Sequence, residues 1–337
     1  MTVETMKRIR LGFANLEVNF VNREQALKLI EVWAGRGTGF PKVIYGPEGC
    51  GKTAWLLQSI ELLKEFGFEV IYVNPLSNRV IAEFGIRELR EEFLKLVREA
   101  VNQNALARIA WLALNTVMDL IKLGGGKVAI IVDDAFQVIG VRESAMYVKA
   151  LLGLIEHPPG HYERIITIAA TSEGVSLREI GRHLWSESIP IWNMSKEGFR
   201  QLYEQLPEPK PEFEDVWRLT GGNPRMLERL YESGWIADKV INDLVREKMI
   251  TPNFTRKWAS HLREAVEDPD YLWYNAPEEL INELIEKNLI MYFLPDRDPG
   301  QWIDEPPPER DLELGIGRYV AWQTPLHREA VRRVLGS

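Results

Sequence analysis

The sequence of 337 residues has a single cysteine, Cys50, and no apolar run close to the roughly twenty residues that cross a bilayer. One cysteine excludes a disulfide within the chain, as is typical of proteins in a reducing interior. The first eight residues, from Met1 to Arg8, also lack the apolar core of a signal peptide. From these absences we expect a cytoplasmic protein without a membrane segment.

The chain also lacks an excess of positive charge. It carries 41 lysines and arginines against 49 aspartates and glutamates, a net charge of −8. This balance excludes a protein that coats nucleic acid through its overall charge, although a local basic face is still possible. With 45% hydrophobic residues, a chain of this length can bury a large core, and we expect two or three domains.

The most informative segment is the run GPEGCGKT at residues 46–53, which satisfies the phosphate-loop pattern G-x-x-x-x-G-K-[ST] in full. A short apolar, β-branched run at residues 42–45 precedes it, and apolar residues at helical spacing follow at 54–63. Strand, loop and helix form the setting of a real phosphate loop. A glycine-rich turn that merely starts a helix would not require the Lys-Thr pair. The segment therefore predicts binding of a nucleoside triphosphate.

Each residue type in this loop suits that chemistry. Gly46, Gly49 and Gly51 are expected to adopt positive φ, which lets successive backbone N–H groups reach the β- and γ-phosphate oxygens. The N-terminus of the following helix favours an anion. Lys52 would place its ammonium on the same phosphates, and the Thr53 hydroxyl would bind Mg²⁺.

A second signal is the apolar run at residues 127–134, which ends in Asp133 and Asp134 and follows three glycines. It is similar to a Walker B strand. Ligands gather at the carboxyl ends of the strands in a doubly wound sheet, so Asp133 would face the magnesium held by Thr53. Asp134 would then polarise a water molecule. A core strand that ends in an acidic turn is the alternative.

The remaining periodicity predicts strands that alternate with helices, and hence a parallel sheet covered on both faces. The predicted strands lie at residues 68–73 and 165–171, and the predicted helices at about 22–34, 86–101, 106–123 and 144–155. From about residue 195 to 246 the pattern is helical. After residue 249 it predicts a helix at 278–287, strands at 289–293 and 319–322, and a final helix after Pro325. Helices followed by a two-stranded hairpin favour a winged-helix module. The acidic, proline-rich link at 296–313 between the two strands is expected to be its extended, mobile wing.

With these parts in place, the chain resembles the archaeal ATPase branch of the AAA+-related signal-transduction NTPases, known as STAND proteins. The likeness covers nearly the whole chain. It rests on FVNRE at residues 20–24, the phosphate loop, IIVDD at 130–134, TGGNPR at 220–225 and QTPL at 323–326. It implies an α/β fold with a P-loop NTPase parallel sheet, a helical lid and a C-terminal winged-helix domain. The implied boundaries are 1–193 for the ATPase core, 194–247 for the lid and 248–337 for the winged-helix-like domain.

The resemblance also implies roles for individual residues. Phe20 to Arg23 would lie against the adenine or its ribose. Asn22 stands where the family usually has glycine, and it could also cap the next helix. Thr171 or Ser172 would occupy the sensor-1 position beside the γ-phosphate, unless they are ordinary strand-end hydroxyls.

Two further elements carry arginines. Pro224 would pack on the base and Arg225 would report the phosphate state to the lid, although proline also suits a purely structural helix start. Arg178 and Arg182 would supply an arginine finger, in cis or to a neighbouring subunit, or are simply solvated. The expected nucleotide contacts are Phe20, Val21, Asn22, Arg23, Gly46, Pro47, Glu48, Gly49, Cys50, Gly51, Lys52, Thr53, Ala54, Pro224 and Arg225. The expected magnesium ligands are Thr53 and Asp133, and the expected catalytic group is Lys52, Asp133, Asp134, Thr171 and Arg182.

The favoured function is an ATPase switch that uses ATP and Mg²⁺ to close the lid and change the relation of the C-terminal module to the core. Many AAA+ proteins carry glutamate where this chain has Asp134, which is shorter by one methylene, so we expect slow turnover. We expect the C-terminal module to bind a protein partner or a second copy of the chain. Trp258, Trp273, Trp302 and Trp322 could form such a surface or pack in the core.

The alternative is a nucleotide-controlled DNA-binding protein similar to origin-recognition initiators. The predicted winged helix and Arg328, Arg332 and Arg333 on the final helix favour it. The acidic net charge and the acidic wing oppose it, because both would repel DNA phosphates.

Overall fold

The computed structural model describes residues 6–172 and 174–336, which divide into two compact units. The first unit contains residues 6–7, Glu24–Tyr45 and Lys52–Ile189, and the second contains Arg8–Arg23, Gly46–Gly51 and the chain from Pro190 onward. The predicted phosphate loop is thus counted partly with each unit. Met1 to Thr5, on which the signal-peptide argument partly rested, lie outside the described residues. The boundaries predicted at 193/194 and 247/248 stay predictions.

The strands and helices of the described residues follow in chain order. The strands are β1 Arg10–Phe13, β2 Leu16–Asn19, β3 Lys42–Tyr45, β4 Glu69–Asn74, β5 Arg79–Glu83, β6 Lys127–Asp133, β7 Arg164–Thr171, β8 Glu187–Pro190, β9 Ile290–Tyr292 and β10 Val320–Trp322. The helices are α1 Glu24–Arg36, α2 Lys52–Glu65, α3 Arg87–Asn102, α4 Leu106–Lys122, α5 Phe136–Ile139, α6 Val141–Glu156, α7 Gly174–Gly181, α8 Lys196–Glu204, α9 Phe213–Thr220, α10 Pro224–Glu232, α11 Ala237–Glu247, α12 Pro252–Lys257, α13 Ala259–Glu267, α14 Tyr271–Tyr274, α15 Glu278–Glu286 and α16 Pro325–Leu335. Across the described ranges, no helix is long and apolar enough to cross a membrane.

The first unit is built on a six-stranded sheet with the order β5-β4-β6-β7-β3-β8. Strands β4, β6, β7 and β3 pair in parallel, and β5 pairs antiparallel with β4 at one edge. The four parallel strands are buried at almost every position, which is the burial expected when helices cover both faces. Both α2 and α4 pack against β4 and β6. The predicted α/β fold with a central parallel sheet is therefore confirmed.

The register of these strands determines which side chains meet at the end of the sheet. Asp133 of β6 pairs with Ala170 of β7, and Thr171 of β7 pairs with Tyr45 of β3. Because the strands are parallel, their carboxyl ends lie along one edge. Strand β5 was not predicted, because apolar and polar residues alternate only weakly along it. Its residues are only half-buried or exposed.

The second unit is mainly helical and contains two small antiparallel pairs, β1 with β2 and β9 with β10. Its last helix, α16, packs against α9, α11, α12 and α13. The sequence predicted both β9 and β10 and the final helix after Pro325, and the structure confirms all three.

The expectation of an extended, mobile wing at residues 296–313 is wrong. Trp302 is 3% exposed and Ile303 is 1% exposed. The Trp302 ring packs edge-on against Trp192, with 6.5 Å between the ring centroids, and its indole N–H donates to the Asp296 carbonyl oxygen at 2.8 Å. Burial of the apolar side chains Trp302 and Ile303 fixes this segment on the second unit, despite its acidic and proline-rich composition. Trp302 and Trp322 are both core residues, as one of the two sequence interpretations had it.

A buried carboxylate holds the backbone before β10. Asp270, 8% exposed, accepts hydrogen bonds from the backbone N–H groups of Arg318 at 2.7 Å, Tyr319 at 2.8 Å and Val320 at 3.1 Å. A Cβ atom on Gly317 would lie 2.4 Å from Asp270 Oδ1, so only glycine lets the chain approach this closely.

We predict that Asp270→Ala lowers the free energy of unfolding by about 2 kcal/mol, because it leaves three backbone N–H groups without their acceptor, and the one of Val320 is buried. The measurement is urea denaturation. Asp243→Ala is the control, since it removes a partly exposed carboxylate paired with the exposed Arg246 and should cost less than about 1 kcal/mol. Equal losses in the two variants would contradict the prediction.

Candidate functional site

In the first unit, the carboxylate of Asp133 is fully buried at the end of β6. Its Oδ2 accepts three hydrogen bonds: from Thr53 Oγ1 at 2.7 Å, from Tyr72 Oη at 2.9 Å and from Asn74 Nδ2 at 3.1 Å. Thr53 lies in the first turn of α2, whereas Tyr72 and Asn74 lie on β4 beside β6. The structure thus brings together the predicted pair Thr53 and Asp133.

The other carboxylate oxygen, Asp133 Oδ1, is buried and has no hydrogen-bond partner among the described residues. A buried carboxylate oxygen without a donor is costly, and a hard cation would satisfy it. The hydroxyl of Thr53 and the carboxylate of Asp133 are oxygen ligands of the kind that Mg²⁺ binds. The donor set therefore fits the magnesium ion that the sequence implies.

The Tyr72 hydroxyl is a hydrogen-bond donor at this site. Burial and the neighbouring Asp133 carboxylate raise the pKa of the Tyr72 phenol above its ordinary value. The phenol therefore keeps its proton and donates a hydrogen bond to Asp133 Oδ2 at 2.9 Å.

Other predicted residues of the first unit lie at the ends of neighbouring elements. Lys52 opens α2 and is 5% exposed, and Thr171 ends β7 and is 1% exposed. Asp134 adopts a positive φ of 48°, its N–H donates to the Ala170 carbonyl at 3.0 Å, and Ser172 Oγ lies 3.4 Å from its Oδ1. Two polar side chains thus meet at the start of the turns that follow β6 and β7.

The two candidate arginine fingers lie around the end of α7. Arg178 is within α7, and Arg182 follows its last residue. The Arg182 guanidinium is 3.1 Å from Glu179, and its side chain is 73% exposed. An exposed arginine is compatible with either sequence interpretation, so the finger stays a prediction.

In the second unit, the glycines of the loop serve two different purposes. Gly49 and Gly51 adopt positive φ, at 74° and 99°, as predicted for a loop that cradles phosphates. Gly46 does not, so the expectation for this residue is wrong. A Cβ atom on Gly46 would lie 2.0 Å from the Ile191 carbonyl oxygen, so the residue must be glycine because another backbone passes close to it.

Glu48 is bonded to residues far along the chain. Its backbone N–H donates to Gln323 Oε1 at 2.8 Å, and its carbonyl accepts from Asn223 Nδ2 at 2.9 Å. Its carboxylate accepts from Lys248 Nζ at 2.6 Å and from Asn288 Nδ2 at 2.9 Å. Backbone and side chain of one loop residue are therefore both tied to the C-terminal half.

Arg23 is 2% exposed and binds the loop directly. Its guanidinium donates to the Cys50 carbonyl at 2.7 Å, to the Trp192 carbonyl at 2.8 Å and to Asp304 Oδ2 at 2.9 Å. Asp304 belongs to the segment that was expected to be mobile. The observed contacts of Arg23 thus hold the loop, and its contact with adenine or ribose stays a prediction.

The backbone conformation of the neighbouring Asn22 explains how asparagine can stand where the family usually has glycine. Its φ is 60°, and asparagine is among the residues that tolerate this left-handed region. The alternative role as a helix cap is wrong, because Asn22 Oδ1 has no hydrogen-bond partner among the described residues. Phe20 is buried, and Val21 is half-buried.

The structural interpretation of Pro224 is confirmed. Pro224 is the first residue of α10, and the Asn223 side chain caps this helix by accepting from the Met226 N–H at 3.1 Å. The Arg225 N–H donates to the Gly49 carbonyl at 3.3 Å, and its guanidinium pairs with Glu228 at 2.6 Å. Contact with the base or the phosphates stays a prediction for both residues.

The sequence interpretation missed the partners of Asp133 and of Arg23. Tyr72 and Asn74 could have been found, because they are polar groups two residues apart at the carboxyl end of a predicted strand. Asp304 could not have been found, since it is 281 residues away from Arg23 along the chain and no local pattern joins them.

Residues 20–230 match the model of a family described as an ATPase domain predominantly from Archaea. This match covers more than half of the chain. The chain belongs to this ATPase family. A comparison with curated proteins finds no match.

The fold of this ATPase-family chain is similar to that of a Walker-type ATPase of Pyrococcus abyssi. The TM-score is 0.51 with 13% identity, and the match covers 93% of this chain and 96% of the other. At this identity the likeness concerns the fold alone. Weaker matches are AMPPCP-bound DnaA from Aquifex aeolicus, with TM-score 0.37, 18% identity and coverage of 83% and 76%, and Cdc6p from Pyrobaculum aerophilum, with TM-score 0.37, 14% identity and coverage of 94% of both chains.

We predict that Arg23→Ala lowers the free energy of unfolding by about 3 to 5 kcal/mol, because it leaves the Asp304 carboxylate buried without a counter-charge. Arg10→Ala is the control, since its pair with Glu17 is more than 70% exposed on both sides and should contribute less than about 1 kcal/mol. Guanidinium denaturation measures both. The double variant Arg23→Met with Asp304→Leu should recover part of the loss, and a double variant as unstable as Arg23→Ala would contradict this explanation.

Proposed function

We propose that the chain binds ATP with Mg²⁺ and hydrolyses it slowly, as a nucleotide-driven conformational switch of the STAND type. The observation that carries the proposal is the bond between Thr53 at the end of a complete phosphate loop and Asp133 at the end of β6. Membership of an ATPase family supports the same conclusion.

In this proposal the loop residues 46–53, which are continuous in sequence, hold the phosphates. Backbone N–H groups made accessible by the positive φ of Gly49 and Gly51 would bind the oxygens, and Lys52 would neutralise their charge. Thr53 and Asp133 would hold the magnesium ion, which supplies positive charge at the β- and γ-phosphate oxygens. Thr171 would hold the γ-phosphate or the attacking water, and Arg182 would act as an arginine finger.

Asp134 is proposed as the residue that orients the attacking water. Its carboxylate is one methylene shorter than glutamate, so it reaches less far from the backbone. Its positive φ of 48° also turns the chain sharply after β6. Both features support a site that hydrolyses ATP slowly, because the position of the water depends on a short side chain at a turn.

The proposed switch would act through the loop. Glu48 binds Gln323, Lys248 and Asn288, so a loop that changes shape with the state of the nucleotide would change these bonds. We propose that residues 194–247 act as a lid and that residues 248–337 form a winged-helix-like module. These hydrogen bonds would connect the bound phosphates to that module.

We predict that Lys52→Ala weakens ATP binding at least tenfold and abolishes phosphate release, because the phosphates lose their ammonium partner. Asp134→Asn should keep ATP binding within about twofold and lower phosphate release at least tenfold, since general-base catalysis contributes factors of about 10² to 10⁴. Binding is measured with a fluorescent ATP analogue, and turnover by phosphate release. Unchanged turnover in Asp134→Asn would remove that residue from the reaction, and unchanged binding in Lys52→Ala would remove the proposed site.

The structure weakens the support for DNA binding. Arg328 is 9% exposed and donates to the Glu313 carbonyl at 2.7 Å. Arg332 pairs with Glu267 and Arg333 with Asp238, so the arginines that favoured this alternative have acidic or carbonyl partners. We propose instead that the C-terminal module binds another protein or a second copy of this chain.

Aromatic side chains support this surface. Tyr274 and Phe293 are 66% and 64% exposed, and Trp273 stacks on Phe293 with 5.6 Å between the ring centroids.

We predict that Tyr274→Ser with Phe293→Ser lowers self-association or partner binding in the ATP state and leaves ATP turnover unchanged. Light scattering with and without ATP measures self-association. A salt-sensitive gel shift of duplex DNA at physiological ionic strength would favour the DNA-binding alternative.

A further inference from the structure

The hydrogen bonds around Asp133 are all on one side of its carboxylate. Oδ2 accepts from Thr53, Tyr72 and Asn74, whereas Oδ1 has no hydrogen-bond partner among the described residues. Several donors on one oxygen fix the rotation of a carboxylate about its side-chain bonds. They also leave its second oxygen as the one available to another ligand.

Two of these donors come from a strand that the phosphate-loop motif does not include. Strand β4 pairs in parallel with β6, with Tyr72 opposite Ile131. Side chains alternate along a strand, so Tyr72 and Asn74 lie on the same face of the sheet as Ile131 and Asp133. Tyr72 is fully buried and Asn74 is 4% exposed, so water competes little for either bond.

The orientation of the Asn74 amide is fixed by a second contact. Its Oδ1 accepts a hydrogen bond from the Ser77 N–H at 3.0 Å. The amide oxygen is therefore used by the turn after β4, and the Nδ2 group is the part that faces Asp133. Exchange of the amide oxygen and nitrogen would lose both bonds.

We propose that Tyr72 and Asn74 are positioning residues, which hold the Asp133 carboxylate so that its free oxygen serves the magnesium ion bound with ATP. This inference rests on the proposed function. Thr53 is expected to bind the metal itself, so the two β4 side chains are the partners of Asp133 that are not proposed as ligands. Groups that orient metal ligands in this way typically change metal affinity by about 10- to 100-fold when they are removed.

The simpler alternative is that Tyr72 is only a core side chain. Tyr72→Phe tests this, because it keeps the ring and removes only the hydroxyl. The matched control is Tyr147→Phe, which removes the hydroxyl of another fully buried tyrosine of the first unit. That hydroxyl donates to the Ala110 carbonyl at 2.9 Å rather than to Asp133. Both variants lose one buried hydrogen bond, and only Tyr72→Phe loosens the carboxylate.

The experiment measures binding of a fluorescent ATP analogue, first in EDTA and then during a titration with MgCl₂. For Tyr72→Phe and for Asn74→Ala we expect affinity in EDTA within twofold of wild type and a magnesium midpoint raised about tenfold. The double variant should raise it further, and Tyr147→Phe should leave it unchanged. A midpoint within twofold of wild type in Asn74→Ala and in folded Tyr72→Phe would overturn the proposal.

The same titration separates this proposal from the proposed function. If the wild type binds the analogue and responds to magnesium but the β4 variants match it, only the positioning role fails. If the wild type does not bind the analogue, or if Lys52→Ala binds it as well as wild type, the proposed ATP site fails and the positioning role fails with it.

Discussion

The parallel pairing of β4, β6, β7 and β3 is the constraint on which the first unit depends. Helices cover both faces of these strands, so their interior positions are mostly apolar, with Thr167 of β7 as a buried exception, and the polar side chains of the site lie at or near the strand ends. Parallel pairing then places those ends along one edge of the sheet. For this reason Asn74, Asp133 and Thr171 lie at nearly the same level at the ends of three neighbouring strands, although nearly one hundred residues separate Asn74 from Thr171 in the chain.

The loop in the second unit depends on backbone proximity as much as on backbone flexibility. Gly49 needs positive φ, and a Cβ atom on it would also lie 2.2 Å from the Arg225 Cβ. Gly46 needs only the close approach of the Ile191 carbonyl. A motif that prescribes glycine at a position therefore does not tell which of these reasons applies. The neighbouring backbone decides, and its position follows from the fold rather than from the local sequence.

The elements that the sequence predicted well are those with a strong local pattern. The apolar runs of β6 and β7, the helical spacing of α3 and α4 and the Thr53 and Asp133 pair all follow from residues close together in sequence or from a motif of known geometry. The prediction of a mobile wing from Asp296 to Glu313 failed because the composition of the segment is polar, whereas its Trp302 packs in a core together with Trp192, which is remote in the sequence. The ion pair between Arg23 and Asp304 was not predicted for a related reason, since burial of two charges depends on a tertiary contact that no spacing encodes.

The bonding of Asp133 also connects ligand binding to stability. A buried polar atom without a partner costs the folded state about 1 to 3 kcal/mol, and more when it is charged. Among the described residues, Thr53, Tyr72 and Asn74 satisfy Asp133 Oδ2, and no donor faces Oδ1. A cation that binds Oδ1 would satisfy this oxygen, and it would stabilise only the folded state in this way, because the unfolded carboxylate is already hydrated. Any ligand that brings a cation to this oxygen is therefore expected to stabilise the fold as well as occupy the site.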